Sequence, residues 1–165
     1  MSKRNQFYWI YYLLTTFFLL ISESVIAQEK RMINPSNNHQ YLLTEVMSWQ
    51  EAKIFAEKLG GYLVTINDEE ENQWLVKTFL KDETDFLWIG LTDYQEEGNF
   101  IWINGEKVIY TNWEQGEPNN NPRQGGEDYG VINGVKNPFN RTVGKWSDAP
   151  EKAKLRGIIE IEPHK

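Results

Sequence analysis

The chain contains no cysteine. That removes at once a thiol nucleophile, a paired-cysteine redox centre, an iron–sulfur cluster, a thiolate zinc site and every disulfide. Histidine is scarce, with only His39 in a polar stretch and His164 beside the C-terminus. Neither lies near another candidate residue, so Ser–His catalysis and metal–imidazole chemistry have nothing to build on. A cationic excess is lacking too, since 17 Lys and Arg face 24 Asp and Glu for a net charge of −7. Nucleic acids and anionic lipid surfaces are bound through Lys and Arg that neutralise phosphate, so both are disfavoured and cations are the more natural partners.

No hydrophobic run is long enough to span a bilayer. The apolar stretch 10–21 is interrupted by Thr15 and Thr16 and ended by Ser22, Glu23 and Ser24, short of the ~20 residues a transmembrane helix needs. Preceded by Lys3 and Arg4 and closed by Val25, Ile26 and Ala27, residues 1–27 read as a secretory signal peptide cleaved after Ala27. The mature protein is then expected outside the cytoplasm, whether extracellular, at the cell surface or in the periplasm, with no membrane span. A secreted domain without disulfides must draw its stability from its core or from a bound ion.

What the chain does have is aromatic and apolar mass: 14% aromatic and 40% hydrophobic residues in 165. That is enough for one packed domain behind the leader. A polar lead-in (28–39) precedes a domain over 40–162 and a short tail, 163–165. Ser48 and Glu51 have capping-box spacing, and Ala52, Phe55, Ala56 and Leu59 share one helical face ahead of Gly60-Gly61, predicting a helix over 48–59. Asn67 and Glu70 repeat the spacing before Trp74, Leu75, Val76, Phe79 and Leu80, predicting a second helix to about residue 81. Short apolar runs at 40–44, 62–66, 86–91, 100–103, 108–110, 129–132 and 155–161 read as strands of small antiparallel sheets. The class is α+β.

Residues 112–128 are dominated by Asn, Gly, Pro, Gln and Glu, a connection too long to be mere linkage in a compact domain. Oxygen donors crowd there and nearby: Asp93, Glu97, Glu117, Asn119, Asn120, Glu127, Asp128 and Asp148. Hard oxygen ligands borne on loops suit calcium, which takes roughly six to eight of them in flexible geometry.

In order along the chain stand Trp88-Ile89-Gly90-Leu91, Glu117-Pro118-Asn119, Glu127-Asp128 and Trp146-Ser147-Asp148. This ordered set resembles a C-type lectin domain over about 40–162. The first half agrees: Trp49, Ala52, Gly60-Gly61, Leu63, Val64 and the run Glu71-Asn72-Gln73-Trp74-Leu75 are similar to that fold's two helices and their surroundings. The resemblance implies a small core that carries a long calcium-binding loop, with sugar hydroxyls coordinating the ion. It implies a principal Ca2+ held by Glu117, Asn119, Glu127 and Asp148, with residue 147 as a further ligand. It also implies a cis peptide before Pro118 and, from Glu-Pro-Asn, mannose-type sugars. An auxiliary Ca2+ would take Asp93, Glu97, Asn120 and Asp128.

Three departures from the family pattern stand out. Ser147 replaces the Asn whose amide serves both ion and sugar; restoring Asn there is expected to tighten both. Asn120 replaces an Asp, removing one charge from the auxiliary site. Both familiar disulfides are missing, with Ala56 and Ile159 near one expected pair and Tyr129 and Glu151 near the other; a cysteine-free secreted lectin domain of this kind looks bacterial. Without cross-links, calcium is expected to order the long loop.

Among the tryptophans, Trp113 is the candidate for stacking on a sugar face. Asn140-Arg141-Thr142 matches a glycosylation sequon, a pattern common by chance. The carboxylates are better explained as ion ligands than as a glycosidase pair, so no enzyme is expected. The functional expectation is a secreted calcium-dependent lectin, in which avidity would require oligomers. The alternative is a protein-binding module of the same fold that binds no sugar.

Overall fold

A computed structural model describes residues 30–81 and 86–163. The expected leader and His164 lie outside the described residues. The stretch expected as a polar lead-in contains strand β1 (Met32–Ile33), paired antiparallel with β2 (Gln40–Leu43). Its turn closes through Asn34, which donates its amide to His39 O at 3.0 Å and accepts Asn38 N at 2.8 Å. Two residues carry no readable periodicity, which is why the strand escapes a sequence pattern.

Helix α1 (Trp49–Lys58) starts where the capping box places it. Ser48 Oγ accepts the Glu51 amide at 3.3 Å, and Glu51 Oε2 accepts the Ser48 amide at 2.8 Å, so two orphan donors are satisfied reciprocally. Trp49, Ala52 and Ala56 form its buried face. Helix α2 (Glu69–Phe79) is capped by Asp68, one residue later than expected, its Oδ1 accepting the Glu71 amide at 2.8 Å. Glu71 instead reaches back to the amide of Asn67 at 3.0 Å.

The remaining strands are β3 (Tyr62–Leu63), β4 (Phe86–Thr92), β5 (Ile101–Trp102), β6 (Tyr129–Asn133), β7 (Trp146–Ala149) and β8 (Arg156–Ile161). They form one sheet of order β1-β2-β8-β4-β6-β7, with β3 added on β8 and β5 on β4. The expectation of purely antiparallel sheets is corrected here. The last strand lies between β2 and β4, antiparallel to β2 but parallel to β4 through Leu87↔Arg156 and Trp88↔Gly157. A period-two pattern reports a strand's faces, not its direction. Residues 108–110 form no strand; the Tyr110 ring instead meets Trp146 edge-on at 5.6 Å.

Trp88, Trp102, Trp146, Tyr41 and Tyr129 are the largest fully buried side chains. A buried indole usually finds a partner for its N–H: Trp88 donates to Met47 O, Trp49 to Ile89 O and Trp146 to Asn72 Oδ1, at 2.8–3.0 Å, whereas Trp102 Nε1 has none. Gly90 is fixed by contact, since a Cβ there would lie 2.3 Å from Leu63 O. Where one disulfide would run, Ala56 and Ile159 are both fully buried beside Leu42 and Ile161. At the other, Tyr129 packs its ring against Trp49 at 4.7 Å, while Glu151 is exposed.

Candidate functional site

The long loop is anchored at its base. Trp146 donates its amide to Asn112 O, and Glu114 donates to Trp146 O, both at 2.8 Å. Trp113 is part of this base: its ring meets Phe100 at 4.9 Å and Trp146 at 6.0 Å, edge-on in both cases. The ring packs under the loop and stays half-buried. Beyond it, the Glu117–Pro118 peptide is cis, and a short 3-10 turn (Pro122–Gln124) is capped by Asn121, which accepts the Arg123 amide.

Strand β7 then delivers Asp148 to the loop. Asp148 is 4% exposed, and its Oδ1 and Oδ2 accept the backbone amides of Asn119 at 3.0 Å and Asn120 at 2.7 Å. Glu127, at the mouth of β6, is 5% exposed; its Oε2 accepts the Asn121 amide at 3.0 Å, and its own amide donates to Asn120 Oδ1 at 2.8 Å. Carboxylates that accept backbone amides hold a loop as well as any cap does. Glu117 receives Asn119 Nδ2 on Oε1 at 2.7 Å, while its buried Oε2 has no hydrogen-bond partner. Burial first, and then Asp148, push the Glu117 carboxyl up to about 7. Burial likewise raises Glu127, with Asp148 adding to it. Glu117, Asn119, Glu127 and Asp148 are thus gathered at one end of the sheet.

Ser147 does not join them. It is 1% exposed and its hydroxyl donates to Asn133 Oδ1 at 2.8 Å, because neighbours on a strand point to opposite faces.

The second group of acids collects beside the first. Asp93 is 3% exposed; its Oδ2 accepts the Gly98 amide at 2.8 Å, and its buried Oδ1 is unpartnered. Burial raises its carboxyl, with Asp128 and Asp148 contributing. Asn120 Oδ1 and Asp128 Oδ1 flank Gly126, at 3.4 and 3.9 Å from where a Cβ would stand. Glu97 is exposed, yet partial loss of water and the charges of Asp93, Asp128 and Asp148 hold its carboxyl above the usual range.

The oxygen-only donor set and two orphaned buried carboxylate oxygens fit a hard cation such as calcium. Among the described residues, however, no three Asp, Glu or His side chains already surround one point that would hold an ion. Sequence reasoning missed one side chain at this site: Arg141 Nη2 lies 2.5 Å from Glu117 Oε1. Beside it runs a cleft of about 360 Å³ lined by Phe86, Val131, Phe139, Leu155 and the acids Glu127 and Asp148.

This architecture has counterparts. The sequence profile of the Lectin C-type domain matches residues 45–157. The chain belongs to the C-type lectin domain family. A mouse scavenger receptor C-type lectin carbohydrate-recognition domain is 32% identical, with a TM-score of 0.65 over 77% of this chain and 91% of that one. A C-type carbohydrate-recognition domain of cow CD23, crystallised in the presence of GlcNAc2Man3 oligosaccharide, is 31% identical, with a TM-score of 0.66 over 77% and 90%. A perlucin-like protein of Mytilus galloprovincialis is 36% identical over 76 residues, 44% of this chain and 49% of that protein. The chain therefore spans about half the length of this curated relative. These relatives are animal proteins and lend no support to a bacterial source. Among the described residues no helix is long and apolar enough to cross a membrane.

Proposed function

We propose that the protein is a secreted, calcium-dependent lectin of mannose-type preference that recognises glycans without catalysis. The carrying observation is the convergence of Glu117, Glu127 and Asp148 on one loop, with Glu117 Oε2 buried and lacking any donor. A buried carboxylate oxygen without a partner costs about 1–3 kcal/mol, and a cation supplies the partner. In this reading Glu117, Asn119, Glu127 and Asp148 hold the principal ion and Asp93, Glu97, Asn120 and Asp128 an auxiliary one. Adjacent sugar hydroxyls complete the first ion's shell while bonding the same acids and amides. The relative crystallised with a mannose-containing oligosaccharide supports the sugar class.

A second reading, a protein-binding domain of the same fold, is favoured by Ser147, whose hydroxyl is already engaged by Asn133 and offers nothing to a sugar. Retention on mannose-agarose separates the two. A lectin is held in calcium, eluted by chelator and lost on Glu117→Gln; retention that chelator leaves unchanged rejects the calcium mechanism.

A further inference from the structure

Arg141 is placed with more care than a surface arginine needs. Its turn is clamped by Asn137, which is 9% exposed: Asn137 Oδ1 accepts the Arg141 amide at 2.8 Å, and Nδ2 donates to Arg141 O at 3.0 Å and to Gly134 O at 2.8 Å. The following residue is held from the other side, its amide donating to Glu114 Oε2 at 2.5 Å and its hydroxyl to Glu114 Oε1 at 3.2 Å. From this rigid turn the side chain, 21% exposed, carries its guanidinium to Glu117 Oε1, with the Phe139 ring 5.4 Å from its central carbon. The Glu117 side chain is 6% exposed, so the pair lies largely out of water, where charges attract strongly.

We propose that Arg141 is a tethered cation that competes with calcium for the long loop. Arg141 holds Glu117 Oε1 while Oε2 is free, so an ion taken up on Oε2 would share one buried carboxylate with a guanidinium, and the like charges repel strongly away from water. Binding of the ion therefore weakens or breaks the Arg141–Glu117 pair. Phe139 offers the guanidinium a ring face to rest on, and the adjoining cleft, which Arg141 already lines, offers the space. Calcium affinity is then set by the difference between the ion's bonds and the ion pair it breaks. This rests on the calcium reading above but adds to it a residue outside the ligand set.

The test is a calcium titration of the full chain, followed by tryptophan fluorescence and calorimetry, on wild type, Arg141→Gln and Arg141→Lys. Arg141→Gln is expected to bind calcium tighter by roughly 5- to 150-fold, the usual range for two coupled ligands, with Arg141→Lys in between. Added methylguanidinium should weaken calcium binding to Arg141→Gln more than to wild type. A wild-type measurement does not depend on any variant folding: phenylglyoxal labelling of Arg141, read by peptide mass spectrometry, should rise in calcium and fall in chelator. Equal calcium affinity in wild type and Arg141→Gln with unchanged labelling overturns the competition while leaving the calcium site standing. Weaker binding by Arg141→Gln also overturns it. No calcium binding by any of the three proteins rejects both the competition and the lectin reading.

Discussion

Asp148 accepts the backbone amide of Asn120 on its Oδ2 at 2.7 Å, joining strand β7 to the tip of the long loop. Its other oxygen takes the neighbouring amide of Asn119, so one buried carboxylate serves as splint for the loop and as candidate ion ligand. Asp148→Ala leaves both amides without their acceptor. Hydrogen bonds to charged groups contribute about 1.5–3 kcal/mol each, so the variant is expected to lose roughly 2–4 kcal/mol of stability in chelator and any calcium-induced gain. Chemical denaturation with and without calcium reads both.

Substitution of Ser147 by Asn is forecast differently by family pattern and by structure. The pattern asks for an amide at the ion, but here the side chain is fully buried against Asn133. A larger group in that pocket overpacks it, at about 1–3 kcal/mol. Ser147→Asn is therefore expected to lower the melting temperature and leave calcium affinity unchanged; a gain in calcium and sugar binding together would show that the strand turns to present the amide.

Far from the loop, Tyr41 OH lies 2.7 Å from Glu71 Oε1 and 3.0 Å from Glu160 Oε1, with His39 Nδ1 2.7 Å from the same Glu160 oxygen. Burial first, with Glu71 adding to it, pushes the Glu160 carboxyl up from 4.5 to about 7. Because the folded state holds this proton more tightly than the unfolded chain, its contribution is complete below pH about 4.5 and lost as pH rises through 7. Wild type should lose on the order of 2–3 kcal/mol across that window relative to Glu160→Gln. Parallel pH profiles of the two proteins would contradict this.

Gly90→Ala tests the packing of β4 against the β3 region. The added methyl would meet Leu63 O at 2.3 Å, a backbone atom that cannot move aside alone. A loss of about 2–4 kcal/mol is expected, measurable by thermal or chemical unfolding, with the circular dichroism of any folded fraction unchanged.

Legibility in the sequence followed the physics of local signals. Ser48 and Glu51 announce α1 because a capping box is a four-residue device, whereas Asn67 and Asp68 compete as caps of α2 because both residue types can cap. β7 carries no readable strand signal because Ser147 and Asp148 place polar groups where a buried run is sought. The parallel pairing of β4 with β8 rests on contacts distant in sequence, which no local pattern carries. At the loop, the acids were visible as a set since oxygen chemistry marks residue types. Arg141 was not, because a lone arginine in a turn has no periodicity and its role arises only where the fold brings it to Glu117.

The central claim is that the loop binds calcium, and the most direct measurement is a thermal melt of the protein in chelator, in millimolar calcium and in millimolar magnesium. At a hundredfold excess over its dissociation constant the ion adds about 2.7 kcal/mol, a rise of roughly 5–10 °C. That rise is expected in calcium, with little change in magnesium and none in Asp148→Ala. Coincident curves in chelator and calcium would contradict it.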